Sequence, residues 1–261
     1  MPNVNELYIV CKIKQIGFSF DTLKEITNGF RNPAVIKGLF SGTIAIDRWK
    51  SSQYLIDKIG HYKIDVVKNA TINSNDGTQS IRETLSLRDT INEIYGNNES
   101  KMYAFFPIKS RTNVQSSEVK LAAEDLQNQI DLLVHDDLEL DSKIWKGFGT
   151  NKKTHSTFEG SQMIFGQGFN DTSKTTGTGW HCAIGNNYFV KVIGRKRWFF
   201  INPNFTKHLN PGRIGQVSFL VRRKNMHLIS QHLPLEYTDL EAGDMLYNPD
   251  FYWHTIQNYK G

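Results

Sequence analysis

Two histidines and a lysine are the residues of this chain whose types and placement could do chemistry. His181 stands near the start of a strand-like run that opens at Thr178, and Lys196 begins a second run that ends at Pro203; the two are joined at Gly194-Arg195. His254 follows far downstream, in Tyr252-Trp-His254. Imidazoles at the starts of sequence-distant strands are how a β-barrel brings two metal ligands to one mouth. A compact ammonium on a long stem can hold an anionic co-ligand beside them. Taken singly, each histidine reads as readily as a satisfied structural group, and Lys196 as a surface residue of the basic run Arg195-Lys-Arg197. Alternation along a strand sets Lys196 opposite to Arg195 and Arg197, so at most one side of that run faces an interior.

The rest of the composition bounds what could surround them. In 261 residues, 39% are apolar and 12% aromatic, which suits a folded chain with a sizeable core and favours β structure. The net charge of +5 permits acidic partners, but 26 acidic residues are spread through the same chain, so the basic balance reads as a solvated surface and nucleic acid is not expected as a partner. Arg195-Lys-Arg197 and Arg222-Arg-Lys224 would be the basic patch of such a role. Cys11 and Cys182 are too few for a disulfide framework or a thiolate zinc site, which points to a reducing compartment. There is no signal-peptide pattern, and no apolar run approaches the roughly 20 residues of a membrane span. An intracellular protein is expected, cytoplasmic or nuclear and with no membrane partner.

Periodicity supplies the supporting elements. Leu7–Ile16, Asn32–Phe40, Tyr62–Val67, Met102–Pro107 and Ser161–Gly166 read as strands. Helices are expected over Asp21–Asn28 with Asp21 as N-cap, over Arg48–Ile59 ending at Gly60, from a Ser86-Leu-Arg-Asp89 capping box to Gly96, and around Leu121–Leu133. Residues 69–79, 109–119 and 170–179 are polar connections, and Gln216–Arg222, Leu240–Tyr247 and a last segment from Trp253 are strands. Helices thus gather in the first half and strands in the second. The expected fold is mainly β with α, one domain over 1–261, with 1–145 as mixed support and 146–261 as barrel core.

Thr178-Gly-Trp-His181, Val192-Ile-Gly-Arg-Lys-Arg-Trp198 and Gly243-Asp-Met-Leu-Tyr-Asn-Pro-Asp-Phe-Tyr-Trp-His254 together resemble the JmjC-type, cupin-like family of Fe(II)- and 2-oxoglutarate-dependent oxygenases. Asn32–Phe40 and Trp49–Gly60 look like that family's N-terminal segment. The resemblance implies a double-stranded β-helix, a jelly-roll barrel. It implies His181 and His254 as metal ligands, Lys196 as partner of the distal carboxylate of 2-oxoglutarate, and Thr178 and Asn187 beside the same cosubstrate. It implies a hydroxylase acting on a protein side chain or a small molecule.

One position departs from that pattern. Two residues after the first histidine the family carries a metal-binding carboxylate, and here stands Ala183. Three outcomes follow for a chain of this kind. In the first, iron is held by two histidines and the cosubstrate, with water or halide in the vacated position and halogenation as the chemistry in the halide case. In the second, Asp250 or Asp171 supplies the missing carboxylate. Or the barrel is a binding module without turnover. Cys182 is a poor substitute, since alternation points it away from His181. A barrel of this family also needs a strand beyond its second histidine; with Gly261 so soon after His254, a fragment or an open edge that could pair with another chain is expected.

Overall fold

The computed structural model describes residues 4–6, 10–11, 18–68, 82–106, 117–145, 161–170, 176–214, 218–221 and 232–260. The first part runs β1 (Val4–Glu6), β2 (Val10–Cys11), α1 (Phe20–Ile26), β3 (Ala34–Ile36), α2 (Ile44–Arg48), α3 (Ser52–Ile59), β4 (Lys63–Val67), β5 (Arg82–Ser86) and α4 (Leu87–Gly96). The middle adds β6 (Tyr103–Phe106), α5 (Ser117–Asp137) and β7 (Met163–Gly166). The remainder is β8 (Gly177–Ala183), β9 (Asn187–Val190), β10 (Arg195–Ile201), α6 (Thr206–Leu209), β11 (Pro211–Ile214), β12 (Ser218–Val221), β13 (Leu235–Leu240), β14 (Met245–Asn248) and β15 (Trp253–Tyr259).

Two compact units result. In the first, built from the residues up to Ser41 and from Gly168 onward, a seven-stranded sheet of order β1-β13-β10-β15-β8-β12-β11 faces a four-stranded sheet of order β2-β3-β14-β9. All pairings are antiparallel except β1 with β13 and β2 with β3. Their inner faces share a core of Val35, Trp198, Phe200, Leu240, Leu246, Tyr252 and Ile256 with Phe189 packed on it. The outer face of the larger sheet buries Trp180, Cys182, Ile201 and Trp253 against Leu209, Val221 and Leu235. This is the mainly-β, cupin-like jelly roll that the sequence leads one to expect.

The second unit, Gly42 to Gln167 among the described residues, holds the sheet β5-β4-β6-β7 with α2 to α5. β4 alternates exposed and buried residues, as a half-covered strand must. Asp137 at the end of α5 is buried and accepts from Trp49 Nε1 at 2.7 Å and from Tyr54 Oη at 3.0 Å.

Several local expectations change. The N-cap of α1 is Ser19, whose extended backbone lets its hydroxyl accept from Thr22 N at 3.1 Å; Asp21 lies in the first turn. The helix expected over Arg48–Ile59 begins only at Ser52: Arg48 is the last residue of the preceding helix α2, and the extended backbone of Ser51 separates the two. Ser86 does cap α4, accepting from Asp89 N at 3.0 Å. The expected strand Leu240–Tyr247 is broken between β13 and β14 by a turn in which Gly243 takes φ +95°. Most of Leu7–Ile16, all of 69–79, much of 109–119, Asp171 and Arg222–Lys224 lie outside the described residues.

Candidate functional site

The expected pair of strands from Thr178 to Pro203 is three strands, and its ends are not hydrogen-bonded neighbours. β8 pairs with β15 and β12, while β10 pairs with β15 and β13. Between them the chain turns at Gly185, φ +103°, and at Gly194, φ +70°, and β9 crosses to the smaller sheet to pair with β14. Alternation fixes which face a residue takes and leaves its partner strand open.

β15 is the strand that assembles the site, because it lies between β8 and β10. His254 is in register with His181 on β8 and with Phe200 on β10. The two imidazole centroids stand 4.2 Å apart, and the His254 ring stacks on Trp198 at 5.0 Å. Ile256 is opposite Thr178, so β8 advances three residues while β15 advances two. That extra residue is a β-bulge. It puts Thr178 and His181, an odd number of positions apart, on the same inner face.

Each ring is fixed by the same local device. His181 Nδ1 lies 2.7 Å from Gly179 O, and His254 Nδ1 lies 2.9 Å from Tyr252 O. A carbonyl oxygen only accepts, so both Nδ1 atoms carry the proton and both Nε2 atoms keep a lone pair, the tautomer a metal ligand needs. Burial lowers the pKa of His181 below the usual histidine value, and burial first, then the repulsion that a protonated His181 would exert, lowers that of His254 well below it. Both rings are therefore neutral at pH 7.

Lys196 faces the same interior. β10 alternates exposed Arg195, buried Lys196, half-buried Arg197 and buried Trp198, and the outward Arg197 grips Asp239 with two 2.6 Å hydrogen bonds. Lys196 is 3% exposed, its Nζ lies 4.9 Å from the centre of the Phe189 ring, and no described carboxylate is within ion-pair distance. Burial first, and then the charge of Lys191, lower its pKa well below the usual lysine value. Thr178 Oγ1, Trp198 Nε1 and Asn248 Oδ1 are buried with no hydrogen-bond partner among the described residues. Asn187 is exposed at the start of β9, opposite Asn248.

Sequence reasoning missed Lys191, Trp198 and Asn248. Lys191 had a readable signal, since it lies two residues past Phe189 and so on the same face of a strand. Of the candidate replacement acids, Asp250 is exposed and accepts from Gly185 N at 2.7 Å. Among the described residues no group of three or more His, Cys, Asp or Glu side chains is placed to hold a metal ion.

An inner pair of neutral imidazoles between two facing antiparallel sheets marks a barrel of the cupin class. Residues 23–261 match the family described as Cupin-like domain, and the chain belongs to that family. Over 79 residues it is 37% identical to JmjC domain-containing protein 8 of Homo sapiens and 34% identical to the protein of that name from Mus musculus. The matched stretch is 30% of this chain and 28% and 27% of those two proteins, so the likeness spans less than a third of their length. Among the described residues no helix is long and apolar enough to cross a membrane.

Proposed function

We propose that this chain is a JmjC-like, 2-oxoglutarate-dependent oxygenase, a hydroxylase acting on a protein side chain or a small molecule. The observation that carries the reading is the His181–His254 pair, with both Nδ1 protons held by backbone carbonyls, beside a buried lysine that lacks a described acid. The residues fit the cosubstrate: Lys196 offers a charge-assisted donor to the distal carboxylate, and Thr178 Oγ1 has an unused hydroxyl. They fit the metal with two donors, His181 Nε2 and His254 Nε2, and the oxo acid with water would complete the coordination. When bound, Fe(II) and 2-oxoglutarate supply oxygen activation coupled to decarboxylation of the oxo acid to succinate. The chain's own share is to orient both imidazoles, to pair the cosubstrate carboxylate with Lys196, and to keep water away with Trp198, Phe200 and Ile256. Anaerobic titration with Fe(II) and 2-oxoglutarate is expected to develop a metal-to-ligand charge-transfer band that His254→Ala abolishes. No band, and no succinate above a His181→Ala control under oxygen, would overturn the reading.

Ala183 favours a second reading. A cupin-like barrel with two neutral ligands and no anionic one neutralises none of a metal ion's charge, which suits a binding module without turnover. Succinate production that depends on His181 would exclude it.

A further inference from the structure

Lys196 does not stand alone. Lys191 follows β9, and its backbone extends the β9–β14 ladder, with its N–H donating to Asp244 O at 3.0 Å and its carbonyl accepting from Gly243 N at 2.8 Å. Along that strand Lys191 is two residues beyond Phe189, whose ring packs on Trp198 at 5.2 Å across the interior. Alternation therefore turns Lys191, which is half-buried, towards the interior from the smaller sheet, as it turns buried Lys196 from the larger one. The Lys196 ammonium already lies over the Phe189 ring, and like charge from Lys191 reaches it.

Neither ammonium has a described carboxylate within ion-pair distance. The carboxylate of Asp244, whose backbone pairs with Lys191, is committed to Lys37 Nζ at 2.7 Å, Gly38 N at 2.9 Å and Glu241 N at 2.8 Å. A cation over an aromatic ring recovers only a small part of what removal from water costs a charge. Ala183 adds no negative charge where an acid would be expected. Two inward lysine side chains, cationic when protonated, and donors on Thr178 and Trp198 with no partner among the described residues make an interior that a divalent cation would charge further. A dianion would bring it to neutrality.

We propose that Lys191 and Lys196 form a receptor for a small dianion, a dicarboxylate or a phosphate, which the barrel holds without a metal ion. Lys191 is the specificity-determining residue, because a single lysine would balance only a monoanion. The proposal goes beyond the oxygenase reading, and stands or falls separately from it.

The test uses the full chain treated with EDTA at pH 7, titrated calorimetrically with succinate, inorganic phosphate or acetate at matched ionic strength. Saturable binding of succinate or of phosphate, with none of acetate, is expected, and whichever dianion binds identifies the source. Lys191→Gln is expected to weaken that binding by about tenfold or more, the scale of one hydrogen bond to a charged group. Its thermal midpoint without ligand should equal or exceed that of the wild type, because a half-buried charge with no described partner is removed. Absence of binding by both dianions, equal binding of acetate, or an undiminished affinity in Lys191→Gln would overturn the proposal. Metal-free binding without a charge-transfer band or succinate would sink the oxygenase reading alone, and the converse pair of results would sink this one alone.

Discussion

A half-buried lysine with no counter-charge among the described residues makes stability depend on pH. Burial brings the pKa of Lys191 down to about 8 from an ordinary value of 10.5. Between those values the unfolded chain binds more protons than the folded one, so stability rises with pH across the window. The contribution is fully present above 10.5 and is lost as pH falls through about 8. Lys191→Met should accordingly be more stable than the wild type at pH 7, and the gap should close as pH rises towards 10.5, which paired urea melts would measure. A constant gap would mean that Lys191 is solvated in the folded protein. On β8 the missing acid can be restored. Ala183 is two residues beyond His181 on β8, opposite Ser218, and alternation turns it to the histidine face. Ala183→Asp should raise Fe(II) affinity by at least about tenfold, since even outer-shell carboxylates change metal affinity by about that factor. Competition with a colorimetric chelator measures it, and an unchanged affinity would place the side chain away from the metal position.

Strand β8 is where element geometry sets the site, and Gly177 is its constraint. Its φ is +156°, and a Cβ there would lie 1.9 Å from Ile256 O. Gly177→Ala must therefore push β8 away from β15 beside the bulge that aligns Thr178 with Ile256. A loss of roughly 3 kcal/mol or more is expected in chemical denaturation, in the range for a backbone clash in a packed sheet. On the smaller sheet, Asp244 joins the β13–β14 turn to the end of β3 through Lys37 and Gly38. Asp244→Ala takes the acceptor from the Gly38 and Glu241 N–H groups, while partly exposed Lys37 keeps Asp239 O at 2.9 Å, and should cost about 2–3 kcal/mol, the scale of part-buried donors left unpaired. These constraints show what was legible in the sequence. Alternation set Lys196 against Arg195 and Arg197, and the Ser86 box marked α4, because both depend on neighbours in the chain. The register of His254 on His181, the crossing of β9 to the other sheet and the bulge depend on strands far apart in sequence. No local pattern carries them.

At the scale of the whole molecule, ligand binding and stability are linked. A dianion that binds the folded state alone, at about 100 times its Kd, adds about 2.7 kcal/mol to the unfolding free energy. For a chain of this size that corresponds to a rise of roughly 5–10 °C in the thermal midpoint. The receptor lysines lie in the first unit, on elements whose backbone is tied into both of its sheets: Lys196 is in β10, and Lys191 extends the β9–β14 ladder. The second unit has its own buried cluster around Leu55, Ile59, Leu87, Ile91 and Ile130 and its own charged anchor at Asp137. Added protection against hydrogen exchange on succinate or phosphate binding should therefore be concentrated in β8, β9, β10, β14 and β15. Amides of α3 and α4 should slow by a smaller factor, because local openings of the second unit need not release the ligand. Hydrogen exchange with mass-spectrometric readout, with and without the dianion in EDTA, measures both regions in one experiment. Equal slowing throughout would mean that exchange in both units passes through one global unfolding event, and an unchanged β10 would place the bound anion elsewhere.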